Sequence, residues 1–213
     1  TFHGGTLSGV MAAMVNTMTR VNGVYERELS VTMLMVDNTS IIFLGPDVNS
    51  DPYTNDDGFA MLNENQTTVN ANIGSPNYDI GHVFSTGGGG VAALNSPCTS
   101  SKARGVTGLP NPIGDAFDVD YVCHEMGHQY GGPHNFNGNA PGTSCLTQRT
   151  ASNAYEPGSG STIMAYAGIC DPQNVQNSSD DYFHQKSLDE IFDNITNGNS
   201  QCANLLAIPN TAP

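Results

Sequence analysis

The spacing of apolar residues in the first part of the chain predicts a helix followed by a strand. Apolar side chains recur every three or four positions over residues 7–21, which is typical of an amphipathic helix. Asn22-Gly23 is expected to end that helix. Apolar residues then occupy alternate positions over 29–35, which predicts a half-buried strand, and residues 41–44 form a second apolar stretch.

The same criteria apply to the middle of the chain. They predict helices over residues 59–73 and 115–130, and strands over residues 78–85 and 104–109. Because helices and strands alternate along the chain, we expect a mixed α/β (α+β) fold built on a sheet.

The C-terminal pattern predicts one more helix. Ser187 and Glu190 have the spacing of a capping box, which opens a helix. The apolar residues expected to face inward from it are Leu188, Ile191, Phe192 and Ile195. Residues 210–213 resemble a frayed tail. At 213 residues, the chain is expected to form a single domain, over residues 1–213, with a substantial core.

The composition narrows the choice of partners and compartment. Twenty acidic residues against six Lys and Arg give a net charge of −14. Six cationic side chains are too few to neutralise phosphates. We therefore expect neither nucleic acid nor an anionic membrane as a partner. There is no run of eighteen apolar residues, and we expect a monomer without a membrane span. Five cysteines indicate two disulfides, one free thiol and a secreted protein.

Acidic character also makes Ca²⁺ a candidate structural ion. Asp47, Asn49 and Asp51 have the spacing with which an EF-hand loop begins. Pro52 replaces the turn glycine of that loop, and Gly58 stands where the bidentate glutamate belongs. Calcium at this segment is therefore the weaker alternative, and an ordinary solvated acidic loop is favoured.

The most informative motif is the run His-Glu-Met-Gly-His-Gln-Tyr-Gly-Gly-Pro-His at residues 124–134. On a helix, His124 and His128 lie one turn apart on one face and can bind the same zinc ion. Gly131 can take a positive φ, end the helix and return His134 as the third ligand. Three protein ligands leave one position open, which is the pattern of a catalytic zinc site.

Glu125 is the candidate catalytic base of this motif. It is next to His124 and rotated off the ligand face, so it can border the metal without binding it. A general base for a zinc-bound water belongs in that place. Two alternatives remain: a core helix with hydrogen-bonded histidines, and a closed structural zinc site that also recruits Cys123.

A second motif, Ser-Thr-Ile-Met-Ala-Tyr-Ala-Gly at residues 161–168, places Met164 thirty residues after His134. Together the two motifs resemble the metzincin endopeptidases, whose Met-turn methionine packs beneath the three histidines. The resemblance implies a zincin-like catalytic domain with a twisted mixed sheet, an active-site helix, a Met-turn and a C-terminal helix. It also implies an upper subdomain over residues 1–134 and a lower one over 135–209.

Tyr166 follows the methionine by two positions. In astacins and serralysins a tyrosine at that offset reaches the zinc and is thought to swing toward the transition-state oxyanion. The resemblance makes Tyr166 a candidate for the same role. The alternative is a tyrosine in the wall of the specificity pocket.

Within the metzincins, the chain is most similar to the reprolysin (adamalysin) family, through residues 21–31, 90–98 with 105–106, and 199–202. Two departures from that family are Asn135, where it has aspartate, and Tyr166, where it usually has proline. The resemblance implies that substrate pairs with an edge strand containing Gly90, Val91 and Ala92. It further implies that Ala167 and Gly168 wall the primed-side pocket.

The disulfide pairing also comes from this resemblance. It implies a Cys98–Cys202 bridge, after which Cys145 and Cys170 would pair and Cys123 would stay free. The sequence thus predicts a secreted zinc-dependent endopeptidase acting on proteins or peptides. The alternative is a catalytically silent metzincin-fold module for binding or adhesion, which the intact Glu125 disfavours.

Overall fold

The computed structural model describes residues 2–44 and 51–207. Its helices and strands, in chain order, are α1 Leu7–Leu29, α2 Gly58–Asn72, β1 Val83–Ser85, β2 Gly89–Ala92, β3 Gly105–Gly108, α3 Asp115–Phe117, a π-helical segment Asp118–Cys123, α4 His124–Gln129, α5 Ser144–Gln148 and α6 Gln185–Thr196. We call the continuous run from α3 to α4, residues 115–129, the central helix. Short 3₁₀ turns occupy Ser75–Asn77 and Ala151–Asn153.

The sheet has three described strands in the order β1-β3-β2. Strand β1 runs parallel to β3, and β2 runs antiparallel to it, with Val83 and Val91 both opposite Val106. This mixed sheet among helices confirms the predicted α/β (α+β) class. Among the described strands β2 is at an edge, as predicted, and it packs beside α4.

The main core lies where α1 crosses the central helix. Val24 and Tyr25 of α1 are fully buried there, together with Val122 of the π-helical segment. The Tyr25 hydroxyl donates to the carbonyl of Cys123 at 2.9 Å, and the Thr17 hydroxyl donates to Asp118 at 2.8 Å. These contacts fix the start of the central helix and therefore the position of the residues that follow it.

Helix α1 is longer than the pattern predicts. It continues through Asn22-Gly23 and ends at Leu29, with Ser30 in the left-handed region at φ 56°. A helical glycine costs only about 1 kcal/mol relative to alanine. Burial of Val24 and Tyr25 outweighs that cost, since a fully buried large side chain contributes about 1.5–3 kcal/mol.

The strand predicted over residues 29–35 does not form, and residues 41–44 are not a strand either. The predicted alternation holds for burial only as far as Met33, because Leu29 and Met33 are buried and Leu34 is 87% exposed, whereas Met35 is 38% exposed. The side chain of Asn22 makes the two backbone hydrogen bonds that a neighbouring strand would make at Met33. It accepts from the N–H of Met33 and donates to its carbonyl, each at 2.9 Å. No described strand pairs with the segment, so it is extended without a ladder.

The capping box predicted for α6 is wrong. The helix begins three residues earlier, and its cap is His184 rather than Ser187; Nδ1 of His184 accepts from the backbone N–H of Lys186 at 3.1 Å. Ser187 is buried in the first turn, and Phe192 is 57% exposed rather than facing inward. Ile191 fills the core position instead, and its neighbour Phe192 is turned about 100° away by the helical geometry.

Both predicted disulfides are present, Cys98–Cys202 and Cys145–Cys170. Cys123 is free and buried, and burial raises the pKa of its thiol. The second disulfide ties α5 to the segment after Met164 in a small cluster with Phe136. In the described part of the chain, no helix combines the length and apolar character that crossing a bilayer requires.

Candidate metal centre and active site

The turn after α4 brings the third histidine back toward the first two. Gly131 has φ +103°, and its N–H bonds to the carbonyl of His128 at 2.9 Å. A Cβ at this position would overlap the side chain of Asn95, and the positive φ would strain any other residue. The chain therefore reverses at a glycine, as predicted, and His134 comes to lie over the end of α4.

A backbone carbonyl fixes the orientation of each imidazole. Nδ1 of His124 lies 2.6 Å from the carbonyl of Ile163, and Nδ1 of His128 lies 2.7 Å from that of Gly132. Nδ1 of His134 lies 2.7 Å from the carbonyl of Gln148. A carbonyl can only accept, so all three Nδ1 atoms carry a proton. In a neutral ring the opposite nitrogen, Nε2, then has a free lone pair.

These three lone pairs point at one another. Nε2 of His134 lies 3.1 Å from Nε2 of His124 and 3.0 Å from Nε2 of His128. None of them has a proton to share, so the arrangement needs a cation at its centre. A tetrahedral zinc ion with Zn–N distances of about 2.0–2.1 Å holds its nitrogens about 3.3 Å apart. The residues present therefore fit a zinc ion.

Burial keeps the imidazoles in the form that binds metal. It lowers the pKa of His124 to about 3 and that of His134 to about 4, and it lowers the pKa of His128 well below its usual value. Neutral rings are the metal-binding form. The interpretation as ordinary core histidines fails, because each Nε2 faces another acceptor. Among the described residues the metal-binding group consists of the three histidines without Cys123. This disfavours the closed structural site in which Cys123 is the fourth ligand.

Glu125 lies beside the histidines and under the edge strand. It is 6% exposed, and its Oε2 has no hydrogen-bond partner among the described residues. Strand β2 covers it so closely that a Cβ at Gly90 would overlap Glu125 Oε1. Burial raises the pKa of the carboxyl to about 8. A dication bound nearby would favour the charged form and lower that pKa again.

Met164 packs on α4, and Tyr166 packs on His134. Met164 lies in a turn that we call the Met164 turn (residues 161–165), and Tyr166 directly follows it. Met164 is fully buried, and its Sδ packs so tightly on Gly127 of α4 that a Cβ there would overlap it. The ring of Tyr166 lies 4.5 Å from that of His134 between centroids and stacks on Phe136 at 4.6 Å. Burial raises the pKa of the Tyr166 hydroxyl.

Comparison with known sequences agrees with this geometry. The profile of the Metallo-peptidase family M12B Reprolysin-like matches residues 1–193. The chain belongs to this family. This reprolysin-like chain is therefore a zinc metallopeptidase with protein or peptide substrates, and the predicted resemblance is confirmed. No curated protein sequence matches the chain.

Some predicted site features of this reprolysin-like chain stay predictions. Ala167 and Gly168 follow Tyr166 and are half-buried, with Gly168 at φ +85° against the backbone of Asn177. Their part in a primed-side pocket is not tested by these contacts. Asp47 and Asn49 lie outside the described residues, so the calcium hypothesis at that segment is untested.

The residues that sequence reasoning missed are those that support the ligands. The three acceptor carbonyls belong to Ile163, Gly132 and Gln148, and a backbone carbonyl leaves no residue signature. Gly127 is inside the motif, but its close packing on Met164 depends on a contact 37 positions away. Glu156 is buried beside the Met164 turn, and the sequence contained one indication of a carboxylate there. That indication is Asn135, which lacks the negative charge that reprolysins carry after the third histidine.

Proposed function

We propose that this metallopeptidase is a secreted endopeptidase that hydrolyses internal peptide bonds of proteins. The observation that carries the proposal is the convergence of three unprotonated Nε2 atoms beside a buried carboxylate at a sheet edge. Two disulfides and an acidic composition support an oxidising, extracellular setting.

The chemistry divides between the metal and Glu125. His124, His128 and His134 would hold the ion, which when bound supplies a Lewis acid and an acidified water. Glu125 accepts the proton of the attacking water through an oxygen that has no hydrogen-bond partner among the described residues, and it later donates that proton to the leaving amine. The carbonyls that bind the three Nδ1 protons keep the imidazoles in place during both transfers.

Strand β2 is the proposed substrate platform. Among the described strands β2 pairs with β3 alone, in the register Gly90 to Thr107 and Val91 to Val106. An extended peptide can add to the other side by main-chain hydrogen bonds. Gly90 lies against Glu125, so the peptide bond beside this strand comes within reach of the base. Main-chain pairing needs no free terminus, which favours cleavage at internal bonds.

Tyr166 is proposed to assist at the developing oxyanion. Its ring packs edge-on against His134 and lies 5.8 Å from the ring of His124, measured between centroids. Burial raises the hydroxyl pKa, so Tyr166 remains a hydrogen-bond donor at neutral pH. A donor beside the metal ligands can stabilise negative charge on the scissile carbonyl. The alternative, a wall of the specificity pocket, uses the same position without that donation.

The competing function is a binding or adhesion module without catalysis. An unreactive module would not need a buried carboxylate oxygen that lacks a hydrogen-bond partner among the described residues, because burying such an oxygen costs free energy. The arrangement around Glu125 therefore favours catalysis.

The proposal is tested by casein cleavage with the purified chain. We expect cleavage that a strong zinc chelator abolishes and that added Zn²⁺ restores to most of its original rate. Near-ultraviolet circular dichroism before and after chelation shows whether the fold survives metal removal. A folded, zinc-loaded protein that leaves casein and gelatin intact would favour the binding module.

The close approach of β2 to Glu125 gives a second prediction. We expect Gly90→Ala to lower kcat by about 100-fold, because a displacement of the base by about 1 Å costs roughly that much. Gly23→Ala is the matched control, since nothing lies within 4 Å of a Cβ there. It should keep full activity and raise the melting temperature slightly. Wild-type kcat in Gly90→Ala would show that β2 does not constrain the base.

A further inference from the structure

A carboxylate outside the zinc-binding motif is buried beneath the metal centre. Glu156 is 7% exposed, and the described residues include no cation that pairs with it. We propose that Glu156 is a positioning residue for the metal centre: it holds the Met164 turn and, through the carbonyl of Ile163, the orientation of His124. This inference rests on the zinc site proposed above.

Both oxygens of Glu156 bind the Met164 turn. Oε2 accepts from the backbone N–H of Ser161 at 2.7 Å and from that of Thr162 at 3.2 Å. Oε1 accepts from the hydroxyl of Thr162. The hydroxyl of Ser161 also donates to Oε2, at 3.5 Å. One side chain thus accepts from four donors at the start of a turn that contains no regular secondary structure. The turn is also held by the N–H of Ile163 on the carbonyl of Tyr182 at 3.1 Å and by the N–H of Asp180 on the carbonyl of Ser161 at 2.7 Å. Among these contacts Glu156 supplies the charged acceptor, which binds the first two residues of the turn.

The turn transmits this position to a metal ligand. Ile163 directly follows Thr162, and its carbonyl takes the Nδ1 proton of His124 at 2.6 Å. The carbonyl of the next residue, Met164, accepts from the backbone N–H of Asn135 at 3.2 Å, beside His134. A shift of the turn therefore changes the orientation of one ligand directly and that of a second through its neighbour.

The backbone of Glu156 is tied to the same region. Its N–H bonds to the carbonyl of Asn135 at 2.9 Å, and its carbonyl accepts from the N–H of Asn137 at 2.7 Å. Residues 136 and 156 form an isolated parallel bridge. Glu156 is therefore held by the segment just after His134 while its side chain holds the segment just before Met164. It links the third ligand to the turn beneath the first.

Asn135 shows why the charge belongs at position 156. Its Nδ2 donates to the Thr162 hydroxyl oxygen at 3.0 Å, while its Oδ1 is buried without a partner among the described residues. The Thr162 hydroxyl donates its hydrogen bond to Glu156, so its oxygen can only accept from a donor on its other side. An amide at 135 supplies that donor, whereas a carboxylate there would place two like charges around one hydroxyl.

An amide at position 156 would not serve equally well. Glutamine keeps the shape of glutamate but has one acceptor oxygen, and its NH₂ group would face a donor at the other position. Hydrogen bonds to a charged acceptor are also roughly twice as strong as neutral ones. We therefore expect Glu156→Gln to lower zinc affinity about 10-fold, the lower end of the usual effect of losing a hydrogen bond that orients a metal ligand.

The test measures zinc affinity by competition with a chromogenic chelator, and ligand geometry from the absorption spectrum of the Co²⁺-substituted protein. Neither readout depends on proteolysis. The variants are Glu156→Gln, Asn135→Asp and the double variant. Glu190→Gln is the control, because Glu190 also accepts from a buried side chain, Asn153, but lies on α6 away from the turn. It should leave affinity and spectrum unchanged.

The double variant decides between positioning and general stability. Asn135→Asp alone should lower the melting temperature through like-charge repulsion, whereas Asn135→Asp with Glu156→Gln restores a single carboxylate beside Thr162. We expect the double variant to recover most of the lost zinc affinity and the wild-type Co²⁺ spectrum. If Glu156→Gln does not fold, a folded, zinc-binding double variant still supports the inference.

Three results would overturn it: wild-type affinity and spectrum in Glu156→Gln, a double variant that binds zinc no better than a folded Glu156→Gln, or a double variant that does not fold. Failure of the endopeptidase proposal gives a different result. The wild-type protein would then bind zinc tightly and cleave no protein, while the effect of Glu156 on affinity would persist.

Discussion

Replacing Glu125 with glutamine is expected to remove nearly all peptidase activity while leaving the protein folded and loaded with zinc. The substitution keeps the shape of the side chain and removes the group that accepts the water's proton. General-base catalysis contributes about 10²–10⁴-fold, so kcat should fall by that factor. The three histidines and their carbonyl partners are untouched, so the zinc content should stay at one ion per chain.

The same substitution should not destabilise the fold. Glu125 is buried, and its Oε2 has no hydrogen-bond partner in the described part of the chain, so the wild-type protein bears the cost of burying that carboxylate. A neutral amide reduces the cost, and we expect an equal or higher melting temperature in the metal-free protein. Glu26→Gln is the control, because Glu26 is exposed and its carboxylate accepts a hydrogen bond from the Thr32 hydroxyl, far along the sequence from the zinc-binding motif. A Glu125→Gln variant that retains a third of wild-type kcat would assign the base elsewhere.

The ligands of the site were predictable because their geometry is local. His124, Glu125 and His128 lie within five residues, and the helical repeat alone places two imidazoles on one face. Gly131 adds a turn that few other residues can make, so His134 follows from the same segment. The Cys98–Cys202 pair and Met164 needed the family resemblance, because nothing in residue spacing joins positions 104 apart.

The elements that sequence reasoning missed depend on long-range contacts. Gly23 reads as a helix end, but burial of Tyr25 against the central helix extends α1 beyond it. The alternation over residues 29–35 predicts burial correctly only as far as Met33. It predicts pairing wrongly, because pairing depends on a neighbouring strand that periodicity cannot supply. Glu156 reads as an ordinary loop residue until the Met164 turn is folded against it.

Loss of the third ligand is the second large effect that we expect. His134→Ala should lower zinc affinity by more than about 100-fold, since loss of a group that merely hydrogen-bonds to a ligand typically costs about 10- to 100-fold. With one Nε2 missing, the remaining two supply half of a tetrahedral site. Activity should disappear at zinc concentrations that saturate the wild-type protein, and chelator competition gives the change in affinity directly.

His184→Ala separates the loss of a ligand from the loss of a histidine. His184 caps α6 by accepting from the backbone of Lys186 and is not part of the metal-binding group. Its replacement should lower the free energy of unfolding by about 1 kcal/mol and leave zinc affinity unchanged. His134→Ala should instead lower zinc affinity without lowering the free energy of unfolding of the metal-free protein. The reason is that removing this buried imidazole also removes one of three mutually facing lone pairs. Tight zinc binding by His134→Ala would mean that another side chain completes the site, and the open catalytic position inferred from the three histidines would then be wrong.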